Sequence, residues 1–172
     1  EIADDINGKE VTLELDAEPG FYYYGIASVS TKKENGVIST FEMNIQADPF
    51  KYQNYQAVTI SQATSTKMVV QGDFETPCII ELTPINDTIS FTIKGAARNP
   101  VTGQPEDITI KNLKQGKKVI IDGEACTVLQ GVTNKFADAD MWEFPSLLPG
   151  NNTLTFSSAL CEVTIKYKPR YF

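Results

Sequence analysis

The chain contains no histidine. That removes the Ser-His-Asp and Cys-His relays, and histidine-ligated zinc or haem, from the chemistry open to it. There is no P-loop and no GxGxxG run, so nucleotide binding by those routes has no support. Basic residues are the minority: 15 Lys and Arg against 22 Asp and Glu leave a net charge of −7. A surface of that sign disfavours nucleic acid, whose phosphates need cationic partners, and an anionic membrane surface. No apolar run approaches the ~18 residues of a membrane span. The opening EIADDINGKE has no basic stretch leading into an apolar one, so no signal peptide is expected there. No initiator methionine stands at position 1, as for a processed chain or a fragment of a longer one.

Cysteine is scarce. Cys78, Cys126 and Cys161 are widely spaced in apolar strand contexts, with no CxxC. An odd, dispersed set argues against a zinc site or a disulfide framework. Three buried free thiols are expected, as in a chain that folds in a reducing compartment.

What is present is strand grammar. Val11–Leu15, Phe21–Ser30 and Val37–Ala47 read as a three-stranded meander. In the third, Val37, Phe41, Met43 and Ile45 share one face and Thr40, Glu42, Asn44 and Gln46 the other. Residues 33–36 form the hairpin loop, and a boundary is placed at the polar stretch 53–56. Beyond it come short strands separated by turn residues at the spacing of a sandwich. Residues 95–107, rich in Gly, Pro and Asn, read as one long surface loop with room for function. Asp122-Gly123 signals a two-residue hairpin, and 134–144 is the best helix candidate, capped by Asn134. Near the end, Leu154 and Phe156 alternate with Thr153, Thr155 and Ser157. Cys161, Val163, Ile165 and Tyr167 then alternate with Glu162, Thr164, Lys166 and Lys168. The short link 158–160 predicts that these two strands pair as a hairpin. No long helix alternates with the strands, so a parallel α/β fold is not expected.

Candidate sites are few. Asp138, Asp140 and Glu143 are the densest acids, able in principle to ligate a hard cation but lacking the EF-hand spacing. Glu81 with Glu124 is a carboxylate pair of the kind glycoside hydrolysis needs, with no separation readable from sequence. In Tyr22-Tyr23-Tyr24 the alternation puts Tyr22 and Tyr24 on one face, as subunit or core contacts or as rings for a saccharide. Trp142, the sole tryptophan, stands beside Phe144, either in the core or as an exposed sugar platform. None of these patterns is a catalytic constellation, so neither an enzyme nor a cofactor is expected.

Two regions resemble a known family. The first is Ile6–Tyr52. It carries Gly8-Lys9, a strand, the turn Asp16–Gly20, then Tyr23-Tyr24-Gly25, a second strand, and the close Asp48-Pro49-Phe50-Lys51-Tyr52. The second is Phe144–Phe172. It carries Phe144, Pro145, Leu147, Pro149, Gly150 and Asn152, then Val163, Ile165, Tyr167, Pro169, Arg170 and Tyr171. In this order the two are similar to the siphophage distal tail proteins. The resemblance implies an all-β chain. Residues 1–52 would be the remaining part of a ring-forming N-terminal domain whose first part precedes Glu1. Residues 53–172 would be an antiparallel β-sandwich of the galectin-like jelly-roll type. It implies a phage or prophage virion protein at the tail tip, made in the bacterial cytoplasm. Such a protein links the tail tube to the host-recognition apparatus through contacts with other tail proteins and copies of itself. A saccharide of the host wall is the alternative partner. The Pro149-Gly150 and Pro169-Arg170-Tyr171 motifs are then expected to be structural.

Overall fold

The computed structural model describes residues 6–172 and divides into two compact units. One runs up to Asn54 and takes back Tyr171–Phe172; the other is Tyr55–Arg170.

The first unit is built on β1 (Glu10–Glu14), β2 (Tyr22–Glu34), β3 (Val37–Ala47) and β4 (Lys51–Tyr52). β2 is central: β1 pairs along one side of it, β3 and β4 along the other, all antiparallel. Glu34 faces Val37, so the β2–β3 loop is the two residues Asn35-Gly36, both at positive φ (51° and 79°). That is type I′ geometry, whose twist matches the strands it joins. Gly25 is fixed by packing instead, since a Cβ there would stand 2.8 Å from the Ala47 Cα.

In the second unit the strands are β5 (Gln56–Ser61), β6 (Ser65–Val70), β7 (Thr76–Pro84), β8 (Thr88–Arg98), β9 (Pro105–Leu113) and β10 (Val119–Asp122). There follow β11 (Thr127–Gln130), β12 (Thr133–Asn134), β13 (Ala139–Asp140), β14 (Ser146–Leu147), β15 (Gly150–Phe156) and β16 (Cys161–Tyr167). They form two antiparallel sheets, ordered β12-β11-β10-β7-β16-β5 (with β14 on β7) and β13-β9-β8-β15-β6. The last strand, β17 (Arg170–Tyr171), follows β4 in the order of the first unit's sheet. Strict alternation makes the two-sheet unit a sandwich: every second residue of β7, from Thr76 to Pro84, is buried. Ile80, Leu82, Ile121, Val163 and Ile165 come from one sheet, Phe91, Ile93, Ile108, Ile110 and Leu154 from the other. All belong to one core cluster. The chain is therefore the all-β antiparallel sandwich that the resemblance implied.

Four expectations need correcting. β15 and β16 are not a hairpin: β15 pairs with β6 and β8, β16 with β5 and β7, in opposite sheets. Period two shows which face is buried but not which strand lies alongside. The link is an arch, and Ser157 holds its start on β8 by donating N–H to the Thr92 carbonyl and accepting from Thr92 N, both at 3.0 Å. Asp122-Gly123 is not a two-residue turn either, because Asp122 pairs with Thr127. The Asp122 carboxylate accepts from Glu124 N and Ala125 N at 2.9 Å, an Asx turn, and Cys126 takes the positive φ. Gly123 serves close packing: a Cβ there would run into the Pro145 carbonyl and lie 2.9 Å from that of Cys78. The helix candidate shrinks to a 3-10 turn, Phe136–Asp138, with Asn134 Oδ1 accepting from Phe136 N at 2.8 Å. The long loop shrinks to 99–104, because β8 and β9 run into it across an irregularity at Lys94–Ala97 that buries Ala96 and Ala97.

Candidate functional site

The first candidate surface is the far half of the β2–β3 ribbon. β1 accompanies β2 only as far as Ile26, and the backbone before it, with the Asn7 side chain, reaches Ala27 and Val29. From Ser30 onward, among the described residues, β2 pairs with β3 alone. The register puts Ala27 opposite Ile45, Val29 opposite Met43 and Thr31 opposite Phe41, so these residues share one face. Ser28, Ser30, Glu42, Asn44 and Gln46 take the other. The apolar face opens toward the tip. Ala27 is buried and Ile45 half-buried, while Met43 and Phe41 are 48% and 50% exposed. The alternation in β3 therefore marks an apolar stripe that this unit leaves half uncovered.

The tyrosines sit at the other end of the same sheet. Tyr22 and Tyr24 share the face that the alternation assigned them, both half-buried. Tyr22 lies opposite Tyr52, and Tyr24 packs edge-on against Tyr52 with ring centroids 5.0 Å apart. Tyr23, on the opposite face, is the polar member. Its hydroxyl donates to Glu18, whose carboxylate also accepts from Lys51 Nζ at 2.7 Å. Those contacts hold the Glu18 carboxyl below its ordinary range, Lys51 first and Tyr23 second, and push the Tyr23 hydroxyl up. Lys51 also lies 4.9 Å from the Phe21 ring, which meets Tyr171 edge-on. The Lys51 and Tyr171 of the family motifs thus hold this sheet together.

The second candidate is one end of the sandwich. Of the two placements open to Trp142, core or exposed, the structure has the exposed one, with 77% of the residue in solvent. Met141 and Phe144 pack against the core, with Phe144 stacked on Phe136 at 6.0 Å. Cys78 N donates to the Pro145 carbonyl at 3.0 Å, fixing the segment and leaving Trp142 turned outward. The next residue in the chain, Glu143, lines a cleft of about 370 Å³ with Glu75, Arg98, Asn99, Phe144 and Ser146; Trp142 is not part of that lining.

The acidic candidates are not brought together. Asp138 accepts from Lys135 Nζ and Asn112 Nδ2, each at 2.7 Å, which holds its carboxyl low. Asp140 pairs with Lys111 at 3.3 Å, and Glu143 lines the cleft. Glu81 lies between Lys118, 2.6 Å away, and Lys166 on the outer face of its sheet, whereas Glu124 lies 3.8 Å from Arg170. Of the thiols, Cys78 and Cys161 are buried, and burial pushes Cys161 up to about 11 and Cys78 further. Cys126 is exposed, contrary to expectation, because it forms the turn after Asp122.

The terminal motifs are structural. Asn152 is buried and ties the turn before β15: Nδ2 donates to the Leu148 carbonyl (2.7 Å) and the Gly150 carbonyl (3.1 Å), and Oδ1 accepts from Leu148 N (3.3 Å). The Arg170 carbonyl accepts from Asp73 N at 2.7 Å, and Gly72 lets the backbones approach. The family described as "Siphovirus-type tail component, C-terminal domain" matches residues 71–171, which hold both motifs. The chain belongs to this family. Among solved structures, the tail component is similar to the crystal structure of the SPP1 Dit protein. That protein is described as a paradigm of the hub adsorption apparatus in phages infecting Gram-positive bacteria. The TM-score is 0.70 at 15% identity, over 95% of this chain and 66% of that one, so the likeness is one of fold. The chain spans about two thirds of that protein's length. A search of curated proteins finds no match.

Proposed function

We propose that this virion tail component works at the tail tip, linking the tail tube to the host-recognition apparatus through protein–protein contacts. Residues 1–52 contribute to a ring of copies, and the sandwich of 53–172 carries the attachment of neighbouring tail proteins. The observation that supports this is the ribbon of β2 and β3. A two-stranded ribbon is marginal alone in water, and an amphipathic one with Phe41 and Met43 half exposed gains most by being covered. The alternative, a saccharide platform across a sheet, finds little to stand on. Among the described residues, the strands' outer faces carry Thr59, Glu81, Thr164 and Lys166 on one side and Lys94, Asp107, Thr109 and Thr153 on the other without an aromatic ring, and Tyr55, just before β5, has Lys168 4.7 Å over its ring.

Light scattering and electron microscopy of the full-length protein test this. Rings of six are expected, and Phe41→Asp with Met43→Asp should leave folded protein that no longer forms them. A strict monomer at high concentration overturns the ring reading.

A further inference from the structure

From the cluster that joins the end of β9 to the turn after β12, we infer that Lys135 and Asn112 form a covalent amide cross-link, with Asp138 carrying the protons. The inference goes beyond the tail reading and does not rest on it. Lys135 is the one charged residue buried among the described residues, at 8% exposure. Its Nζ donates to Asp138 Oδ2 at 2.7 Å and to the Asn112 main-chain carbonyl at 3.2 Å. Asn112 Nδ2 donates to the other oxygen of the same carboxylate, Oδ1, at 2.7 Å. One carboxylate thus bridges an amine and a carboxamide. These are the groups that exchanging one amide nitrogen for another requires: a nucleophile, an electrophile and a proton carrier between them. The lysines of the Lys94–Asp107 and Lys114–Asp87 pairs are 60% and 65% exposed, so water surrounds those amines. At Lys135 the amine has been withdrawn from it, as suits a nucleophile.

The fold holds the three groups together. Lys135 N donates to the Val128 carbonyl at 2.8 Å, and Asp138 N to that of Lys135 at 3.0 Å. Directly after Asp138, β13 pairs with β9, Ala139 opposite Ile110 and Asp140 opposite Thr109. That pairing lays the 3-10 turn against the end of β9, where Asn112 takes a positive φ of 54°. Groups fixed on one scaffold react without the entropy cost of an encounter. In the resting chain Asp138 is a carboxylate, held low first by Lys135 and then by Asn112. The step begins as a proton passes from Lys135 Nζ to Asp138. The freed lone pair attacks Asn112 Cγ and forms the Nζ–Cγ bond. Asp138 hands its proton to the Asn112 amide nitrogen, whose bond to Cγ breaks. The attacking nitrogen sheds a second proton through the same carboxylate, and an ammonium ion leaves. Ammonium side chain and carboxamide become a secondary amide and free ammonium; nothing is oxidised or reduced, and Asp138 ends as it began. β12 ends one sheet and β13 the other, so the bond staples the segment that crosses between them.

Intact-mass spectrometry of the purified chain, followed over time in mildly alkaline buffer, tests this. The expected mass lies below that of the sequence by one ammonia. Trypsin should then spare Lys135, and one branched peptide should carry Asn112–Lys114 on Val119–Lys166. Lys135→Met and Asp138→Asn should each stay at full mass. Asp138→Asn, at a half-buried position, should also keep the circular dichroism of the parent. The decisive reading is made on the parent, whether or not a variant folds. The inference is overturned by a parent that stays at full mass, by an ammonia loss mapped elsewhere, such as a succinimide at Asn35-Gly36, or by a branched peptide that still forms in Asp138→Asn.

Discussion

The two units spend their hydrophobic residues in opposite ways. The sandwich closes on itself: Phe91, Leu154, Ile80 and Ile165 are fully buried, and its outer faces are finished with threonines and Lys–acid pairs. The meander is a single sheet, and its apolar stripe runs out into solvent at Met43 and Phe41. Similar alternation in sequence thus produces a finished domain in one case and an unfinished surface in the other. The number of layers, not the pattern, makes the difference. A strand face is buried only if a second layer arrives to cover it.

The largest expected break in the comparison is Phe91→Ala. The side chain is fully buried and stacks on Phe156 at 5.9 Å. Its loss should cost about 3–5 kcal/mol, as large-to-small changes of a core aromatic do. Denaturant unfolding followed by circular dichroism measures it. A cost under about 1 kcal/mol would mean that the core is not the closed layer described.

Next comes Asn152→Ala. Three hydrogen bonds end on one buried side chain, and removing it orphans the Leu148 N–H and carbonyl at the turn into β15. A loss of about 1–3 kcal/mol is expected, set by the desolvation of what is left unpaired. Asn152→Asp should be no better, because it replaces the donor that two carbonyls share.

Glu81 sharpens the comparison by pH. Lys118 and then Lys166 hold its carboxyl below the ordinary range. A depressed folded value contributes stability above the unfolded value of about 4.3, and that contribution is lost as pH falls through the folded one. Both lysines are partly exposed, so the gain is screened to about 1 kcal/mol. Glu81→Gln should therefore lower the thermal midpoint at pH near 7 and converge with the parent in acid. A gap that stays constant into acid would assign Glu81 a packing role instead.

How much of this was legible follows from the same contrast. Faces were readable, because period two is local: Tyr22 with Tyr24, and Phe41, Met43 and Ile45 together, fall as the alternation says. Partners were not. β15 and β16 look adjacent in sequence, but Ser157 stays on β8 and sends the chain across the core. Turn dipeptides divided by their surroundings. Asn35-Gly36 forms the tight turn because nothing crowds it, while Gly123 is reserved for the approach of the Pro145 and Cys78 carbonyls. The cleft drew Glu75, Arg98 and Ser146 from segments far apart in sequence, and of its lining Glu143 was singled out beforehand, as a candidate metal ligand rather than a cleft residue.

The smallest effect on stability, and the most telling, is expected at Phe41. Half of the ring is already in water, and across the ribbon it faces Thr31. Phe41→Ser should change the stability of the isolated chain by no more than about 0.5 kcal/mol, the usual range for an exposed position. That is far below the cost at Phe91, although both are phenylalanines on alternating strands. If the stripe is covered in the assembled tail, the same substitution should weaken association much more than folding. Midpoint and assembly should then part company in one variant. Comparing the thermal midpoint with the ring fraction of the full-length protein measures both. A large fall in midpoint would show that Phe41 packs within its own unit, and the distinction between the finished and the unfinished surface would fail there.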